Sequence, residues 1–245
     1  MPESSSVRYA IYYTPAQKHP LTEAARAWLG RDAFSGCSLA VPVKLGPAGG
    51  PHLFRDTMTA APRRHGFHAT LKAPFQLRES CSVEELERAI RRFAAAWPPC
   101  PIGPLKIKLL SGFFALEPVG PIPALRGLAS RIVEKFDVFR APLSQSELRR
   151  RLRRPLDETE TTYLVQWGYP YVFDRFRFHM TLTDRVPAQS RPDVQQELNA
   201  VFAPLLSEDY RVDALSLFVQ EHSHSDFVVR SQYALSSRPL KEAVI

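Results

Sequence analysis

The sequence lacks several features that define large classes of proteins. No apolar run approaches the roughly 20 residues of a membrane-spanning helix, and the opening MPESSS has neither the basic start nor the apolar stretch of a secretory signal. The chain has three cysteines, Cys37, Cys81 and Cys100, with no C-x-x-C spacing, which argues against a disulfide framework or a redox pair. We therefore expect a cytoplasmic protein that makes no contact with a membrane.

Motifs that cradle a nucleotide or activate a serine are also missing. The Gly- and Pro-rich stretch 43–51 contains Gly46, Gly49 and Gly50, but not in the G-x-G-x-x-G or G-x-x-x-x-G-K spacing. This stretch is predicted to be a loop. A G-x-S-x-G elbow does not occur in the sequence, so chemistry based on a nucleophilic serine has no support.

The composition suits a folded protein with an anionic partner. With 245 residues and 44% hydrophobic residues, the chain can bury a substantial core. Its 32 Lys and Arg outnumber its 25 Asp and Glu, and the net charge is +7. This charge favours a phosphate-bearing ligand or a nucleic acid without deciding between them.

The densest basic segment is ELRRRLRRP at residues 147–155. On a helix Leu148 and Leu152 share one face, and the arginines spread over the others. Two interpretations stay open: a solvated helix face, or a basic rim that catches a second phosphate or a nucleic-acid backbone.

The most informative feature that is present is a repeat. The pentapeptide FHATL at 67–71 recurs as FHMTL at 178–182. In a β-strand successive side chains alternate between faces, so the His and Thr of each copy project together, away from its apolar residues. Two such strands side by side would bring two imidazoles and two hydroxyls into one cleft.

This set of side chains fits acid and base cleavage of a phosphoester without a metal or a cofactor. One neutral imidazole takes a proton from the attacking water, and one protonated imidazole gives a proton to the leaving oxygen. The hydroxyls hydrogen-bond the non-bridging phosphoryl oxygens. A single copy is typical of a structural histidine, whereas two matching copies indicate the catalytic set His68, Thr70, His179 and Thr181.

The two motifs resemble those of the 2H phosphoesterase superfamily, which is named for two His-x-[Thr/Ser] motifs. Further segments resemble the bacterial branch associated with phosphonate utilisation (DUF1045-like): RYAIYY at 8–13, WLGRD at 28–32, FRAP at 139–142, WGYPYV at 167–172 and FRFHMTLT at 176–183. The resemblance spans about residues 7–235.

The resemblance implies an α+β fold with two pseudo-symmetric lobes, each an antiparallel sheet backed by helices, around a central cleft. We expect one bilobal domain over 7–235, a helical insert at about 144–167 and flexible tails at 1–6 and 236–245. The insert is expected to act as a lid over the cleft or to pack as a third helical layer, and both alternatives stay open.

Periodicity and capping signals predict the individual elements. The SVEE segment at 82–85 is a capping box that opens a helix ending near residue 97. The other predicted helices are 22–29, 124–137 and 193–202, and the predicted strands are 9–13, 105–110, 112–117, 212–221 and 227–235.

Other residues are predicted at the substrate. Arg177 shares a strand face with His179 and is expected to contact phosphate. Tyr12 is expected to reach the cleft or to be a half-buried strand aromatic, and Lys72 and Thr183 are expected at the rim.

Two further groups of histidines are possible metal ligands by residue type. The HSHSD segment at 222–226 is predicted to be a hairpin turn rather than a metal site. On a continuous strand His65 would face away from His68, which argues against a metal pair there.

Three functions fit these observations. The first is metal-independent hydrolysis of a small sugar cyclic phosphate, which the phosphonate-associated branch implies to be 5-phosphoribosyl 1,2-cyclic phosphate. The second keeps the chemistry and acts on RNA or nucleoside 2′,3′-cyclic phosphates, although no aromatic platform interleaved with basic residues is obvious. The third is a nucleic-acid-binding protein without turnover.

Overall fold

The structure is a computed structural model that describes residues 7–39, 58–153 and 155–237. The predicted loop at 43–51, the predicted tail at 1–6 and residues 238–245 of the predicted tail at 236–245 lie outside the described residues. Ser236, at the start of the second predicted tail, is held in place, because its backbone N–H donates to the Ala94 carbonyl at 2.9 Å.

Antiparallel strands dominate the fold. Seven of them form one sheet in the order β4-β5-β6-β2-β1-β8-β9, and β3 pairs with β7 in a small second sheet. Their bounds are β1 Arg8–Tyr13, β2 Ala69–Phe75, β3 Cys100–Gly103, β4 Leu105–Leu110, β5 Phe113–Pro118, β6 Met180–Thr181, β7 Tyr210–Val212, β8 Ala214–Gln220 and β9 Val228–Ala234.

The predicted α+β class is confirmed, with one correction to the arrangement of the sheets. The two lobes were expected to carry separate sheets. In the structure Ala69 of β2 pairs with Met180 of β6, which joins a four-stranded half to a three-stranded half. The two halves join because each motif supplies one strand, β2 or β6, and these two strands pair with each other.

The helices of the described residues, except the one that ends at His65, follow the capping and periodicity signals closely. In the predicted capping box the Glu85 backbone N–H donates to Ser82 Oγ at 3.2 Å and the Ser82 N–H donates to Glu85 Oε2 at 2.8 Å. The helices are α1 Pro20–Leu29, α2 Ala60–His65, α3 Val83–Ala95, α4 Pro123–Phe136, α5 Gln145–Arg151, α6 Glu158–Trp167 and α7 Arg191–Phe202. Within the described ranges, none of them is long and apolar enough to cross a bilayer.

The two faces of the large sheet are covered differently. Helices pack on one face around the main core, which includes Ile11, Leu71 and Met180. The opposite face carries a smaller apolar cluster of Ala10, Tyr12, Ala33, Phe218 and Phe227. Thr70 pairs with Tyr12 across β1 and β2, and paired residues share a face, so the polar side of the first motif lies on this less covered face.

The predicted insert is helical and consists of α5 and α6. Both helices begin with a capping box, formed by Ser144 with Glu147 and by Asp157 with Glu160. The Arg151 guanidinium donates to the Gly168 carbonyl and so links the end of α5 to the end of α6. The role of the insert as a lid stays a prediction.

Candidate active site

The four predicted catalytic side chains meet where β2 and β6 pair. Because Ala69 lies opposite Met180 in an antiparallel ladder, one further step places His68 opposite Thr181 and His179 opposite Thr70. Residues directly opposite have Cβ atoms about 5 Å apart, and diagonal residues such as the two histidines are about 7–8 Å apart. Each imidazole therefore neighbours the hydroxyl of the other motif.

Both imidazoles are held by the same kind of hydrogen bond. Nδ1 of His68 lies 2.8 Å from the Gly66 carbonyl, and Nδ1 of His179 lies 2.9 Å from the Arg177 carbonyl. A carbonyl only accepts, so Nδ1 carries the proton in each ring, and Nε2 of the neutral ring keeps a lone pair. The repeat thus presents two Nε2 atoms that can each take or give a proton.

Gly66 allows the backbone turn that places one of these carbonyls. Its φ is +73°, a region that favours glycine. A Cβ at this position would lie 2.5 Å from the Cβ of Ala33, closer than real Cβ contacts. The chain can therefore pass from α2 to the first motif only with glycine here.

His68 lies in an aromatic environment. Its ring stacks on Tyr12 with centroids 3.8 Å apart and an interplanar angle of 21°, and Thr70 Oγ1 is 3.3 Å from its Nε2. Burial is the main cause that lowers the pKa of His68 to about 3, with a further contribution from the nearby His65. In the ligand-free protein this imidazole is neutral at physiological pH.

His65 is a third histidine at the site, and its predicted position on a continuous strand is wrong. The chain around it is not a continuous strand, since α2 ends at His65. Its ring lies 5.8 Å from that of His68 and stacks on Phe227 at 4.8 Å, and Tyr12 Oη is 3.4 Å from its Nδ1. The basic run RRH followed by glycine is a helix-ending signal that could have located it.

His179 has a charged environment instead. The pairing of Ala115 with Thr181 continues to place Glu117 opposite His179. Glu117 Oε2 accepts a hydrogen bond from Arg177 Nη2 at 2.7 Å. Burial lowers the pKa of His179, the positive charge of Arg177 adds to this, and the carboxylate of Glu117 opposes it. Glu117, which no motif of the sequence indicates, is thus an electrostatic neighbour of the second motif.

Two lysines surround the same carboxylate. Nζ of Lys106 lies 3.6 Å and Nζ of Lys108 lies 3.7 Å from Glu117 Oε1. The side chains of both lysines and of Arg177 are at least 39% exposed, whereas that of Glu117 is 10% exposed. Three cations around one buried carboxylate leave this side of the site positively charged.

The predicted substrate contacts have different placements. Arg177 lies beside His179, and its side chain is 55% exposed. Tyr12 is 1% exposed and supports the ring of His68 from behind, and burial raises the pKa of its phenol. Of the two alternatives for Tyr12, the structure shows the buried strand aromatic.

Lys72 is predicted to lie on the same face as His68, at the rim of the cleft. The structure shows that this prediction is wrong. Tyr12 pairs with Thr70 but Ile11 pairs with Lys72, so Leu71 is an extra residue in β2. This bulge turns Lys72 to the helix-covered face, where it is 4% exposed and its Nζ donates to Asp137 Oδ1 at 3.0 Å.

Thr183, the other residue expected at the rim, is also away from it. It is 1% exposed, and its hydroxyl accepts a hydrogen bond from the Phe114 N–H at 2.9 Å. The strand β6 ends at Thr181, so the alternation that predicts a rim position for Thr183 does not continue that far.

The HSHSD segment forms the connection between β8 and β9, as predicted. The Ser225 N–H donates to the His222 carbonyl at 3.0 Å, and Ser225 Oγ accepts from the His222 N–H. The Asp226 carboxylate pairs with Arg31 at 3.1 Å rather than with a histidine.

Comparison with known families identifies the group to which this protein belongs. Residues 70–228 match the family described as "Protein of unknown function (DUF1045)". The chain therefore belongs to this family, as the flanking segments of the sequence predicted.

Curated relatives add names but are longer proteins. A protein of Janthinobacterium sp. (strain Marseille) named ribose 1,5-bisphosphate phosphokinase PhnN is 37% identical, over 91% of this chain and 50% of its own length. A protein of the same name from Laribacter hongkongensis (strain HLHK9) is 34% identical, over 90% of this chain and 50% of its own length. The chain spans about half the length of the curated relatives it matches.

Among solved structures, LigT of E. coli complexed with NADP+ is similar with a TM-score of 0.43 and 14% identity, over 95% of this chain and 99% of LigT. At this level of similarity the neighbour assigns no activity or ligand to the present chain.

Proposed function

We propose that the protein is a metal-independent cyclic phosphodiesterase that opens a small sugar cyclic phosphate, 5-phosphoribosyl 1,2-cyclic phosphate. One observation carries the proposal: two imidazoles, each fixed at Nδ1 by a backbone carbonyl, directly precede two strands that pair at Ala69 and Met180 and that each carry a threonine. Two positioned proton carriers and two hydroxyl donors are what hydrolysis of a phosphodiester requires.

The reaction follows from these positions. One neutral imidazole takes a proton from water at its Nε2, and the water oxygen forms a bond to phosphorus. The bond between phosphorus and one ring oxygen breaks, and the other imidazole, in its protonated form, donates a proton to that oxygen. The hydroxyls of Thr70 and Thr181 donate hydrogen bonds to the non-bridging oxygens, where negative charge increases in the transition state.

The names of the relatives support a pentose substrate. Opening the 1,2-cyclic phosphate of ribose 5-phosphate at the 2-oxygen yields ribose 1,5-bisphosphate, the compound in the names of both curated relatives. Those relatives are about twice as long as the aligned region, and the present sequence has no G-x-x-x-x-G-K motif for a nucleotide phosphate. We therefore propose the hydrolytic step, and not the kinase step, for this chain.

Turnover on a matched panel of substrates tests the proposal. We expect the purified protein to hydrolyse 5-phosphoribosyl 1,2-cyclic phosphate faster than nucleoside 2′,3′-cyclic phosphates. We also expect an excess of chelator to leave the rate unchanged, because no Lewis acid is needed. Loss of activity with chelator and its return with a divalent ion would contradict the mechanism.

The same panel separates the alternatives. Faster turnover of nucleoside 2′,3′-cyclic phosphates would favour an RNA-processing role. No turnover on any cyclic phosphate, together with RNA binding that weakens steeply with salt, would favour a nucleic-acid-binding protein.

A further inference from the structure

Arginines from three separate segments converge beside the first motif. Arg8 of β1, Arg64 of α2, and Arg150 and Arg151 of α5 form this arginine cluster. Arg8 and Arg151 line a cavity of about 20 Å³ between the insert and the end of the sheet. The charges of Arg64 and Arg150 add to burial in lowering the pKa of Arg8, and the charges of Arg150 and Arg8 do the same for Arg151.

The positive charge of this cluster is not balanced by the part of the chain that the structure describes. Within residues 7–39, 58–153 and 155–237, no ion pair joins any of the four arginines to a carboxylate. The charge of Glu147 acts on Arg8 and Arg151, but its carboxylate accepts hydrogen bonds from Ser144 in the capping box of α5. Arg31, Arg140, Arg175 and Arg177, by contrast, all pair with carboxylates.

Neutral acceptors orient the guanidinium groups instead. Arg8 Nε donates to Gln220 Oε1 at 2.7 Å, and Arg64 Nε donates to the Ser225 carbonyl at 3.3 Å. Arg151 donates to the Gly168 carbonyl. Because these guanidinium groups are held by neutral acceptors, their positive charge can attract an anion from solution.

A series of contacts through Phe227 and His65 connects this cluster to His68. The Arg8 guanidinium carbon lies 5.6 Å from the centre of the Phe227 ring. Phe227 stacks on His65 at 4.8 Å, and His65 lies 5.8 Å from His68. These contacts place the cluster on the same side of the sheet as His68.

We propose that the arginine cluster is a subsite for a phosphomonoester group, and that the substrate of this enzyme carries one besides its cyclic phosphate. This inference rests on the proposed function, and it assigns the basic face of the insert to substrate selection. The cavity has room for about one water, so the phosphomonoester binds at the exposed side of the cluster, where Arg150 lies, rather than inside the cavity.

The test compares ribosyl 1,2-cyclic phosphate with and without a 5-phosphate. We expect the wild-type protein to prefer the 5-phosphorylated substrate in kcat/KM. Arg8→Met and Arg150→Met should each reduce this preference by about 10- to 100-fold, the contribution of a charge-assisted hydrogen bond. Arg149→Met, which removes the same charge from the same helix but lies outside the cluster, should leave the preference unchanged.

Each outcome decides one of the two proposals. If the wild type opens both substrates and the variants of Arg8 and Arg150 leave the preference intact, the subsite is wrong and the proposed function stands. If the wild type opens neither substrate, the proposed function fails, and calorimetry with ribose 5-phosphate then decides on the subsite. Weaker binding of ribose 5-phosphate by Arg150→Met, but not by Arg149→Met, would support the subsite. Absence of binding by the wild type would overturn it. Thermal denaturation of each variant checks the fold; Arg150 is exposed, so its substitution leaves the core intact.

Discussion

The two motifs have nearly the same sequence but different surroundings. His68 is enclosed against Tyr12 and lies near a second imidazole, and both this burial and the His65 ring disfavour a positive charge on it. His179 lies opposite a buried carboxylate that favours such a charge. The repeated sequence therefore positions two equivalent proton carriers, and the neighbours that it does not include make them unequal. On this basis we expect His179 to be the proton donor and His68 the base.

Removal of either imidazole should have the largest effect. His68→Ala and His179→Ala should each lower kcat by about 10²- to 10⁴-fold, the usual contribution of a positioned acid or base. The double variant should lose much less than the product of the two, because the imidazoles act together. His222→Ala, in the exposed turn between β8 and β9, is the matched control, and near-normal turnover by either single variant would remove that motif from the mechanism.

Loss of the threonine hydroxyls should cost less. Thr70→Ala and Thr181→Ala should each lower kcat by about 10- to 100-fold, because each removes one donor to the phosphoryl oxygens while both proton carriers remain. Thr→Ser variants should recover most of the rate, which separates the hydroxyl from the packing of the methyl group. A threonine whose replacement by alanine is silent does not contact the phosphate.

Glu117→Gln tests the difference between the two motifs directly. Hydrolysis should show a rate maximum with pH, since the base must be neutral and the acid protonated. Without the carboxylate the pKa of His179 should fall, so the alkaline limb should move to lower pH. Glu134→Gln, on the exposed side of α4, is the control, and an acidic limb that moves instead would reverse the assigned roles.

A further effect concerns stability at low pH rather than the rate. Burial lowers the pKa of His65 to about 4 and that of His68 to about 3, below the ordinary value of 6.5. Between pH 6.5 and those values the unfolded chain binds protons that the folded chain does not, so the free energy of unfolding should decrease as pH falls. Urea titrations at several pH values measure this, and His65→Phe should make the dependence shallower; an unchanged slope would contradict the burial of His65.

Much of this structure can be predicted from the sequence, because its signals are local. The capping box at Ser82 and the amphipathic pattern that follows predict α3 to within about two residues of its end at Ala95. The alternation within each motif likewise predicts which side chains share a face, and the pairing of Ala69 with Met180 brings the two motifs together.

Non-local effects account for what the sequence could not show. The bulge at Leu71, which turns Lys72 away from the site, depends on the register with β1 and has no signature in β2 alone. The strand β3, with Pro101 in its middle, forms only because β7 is available to pair with it. Glu117 and His179 lie far apart in the chain, so their electrostatic coupling is visible only in the folded protein.

A crystal structure of the protein soaked with inorganic phosphate tests the central claim most directly. The account predicts one phosphate bound between Nε2 of His68 and Nε2 of His179, with the hydroxyls of Thr70 and Thr181 within hydrogen-bond distance of its oxygens. A phosphate that contacts only one of the two motifs, with the other imidazole turned away from it, would contradict the account.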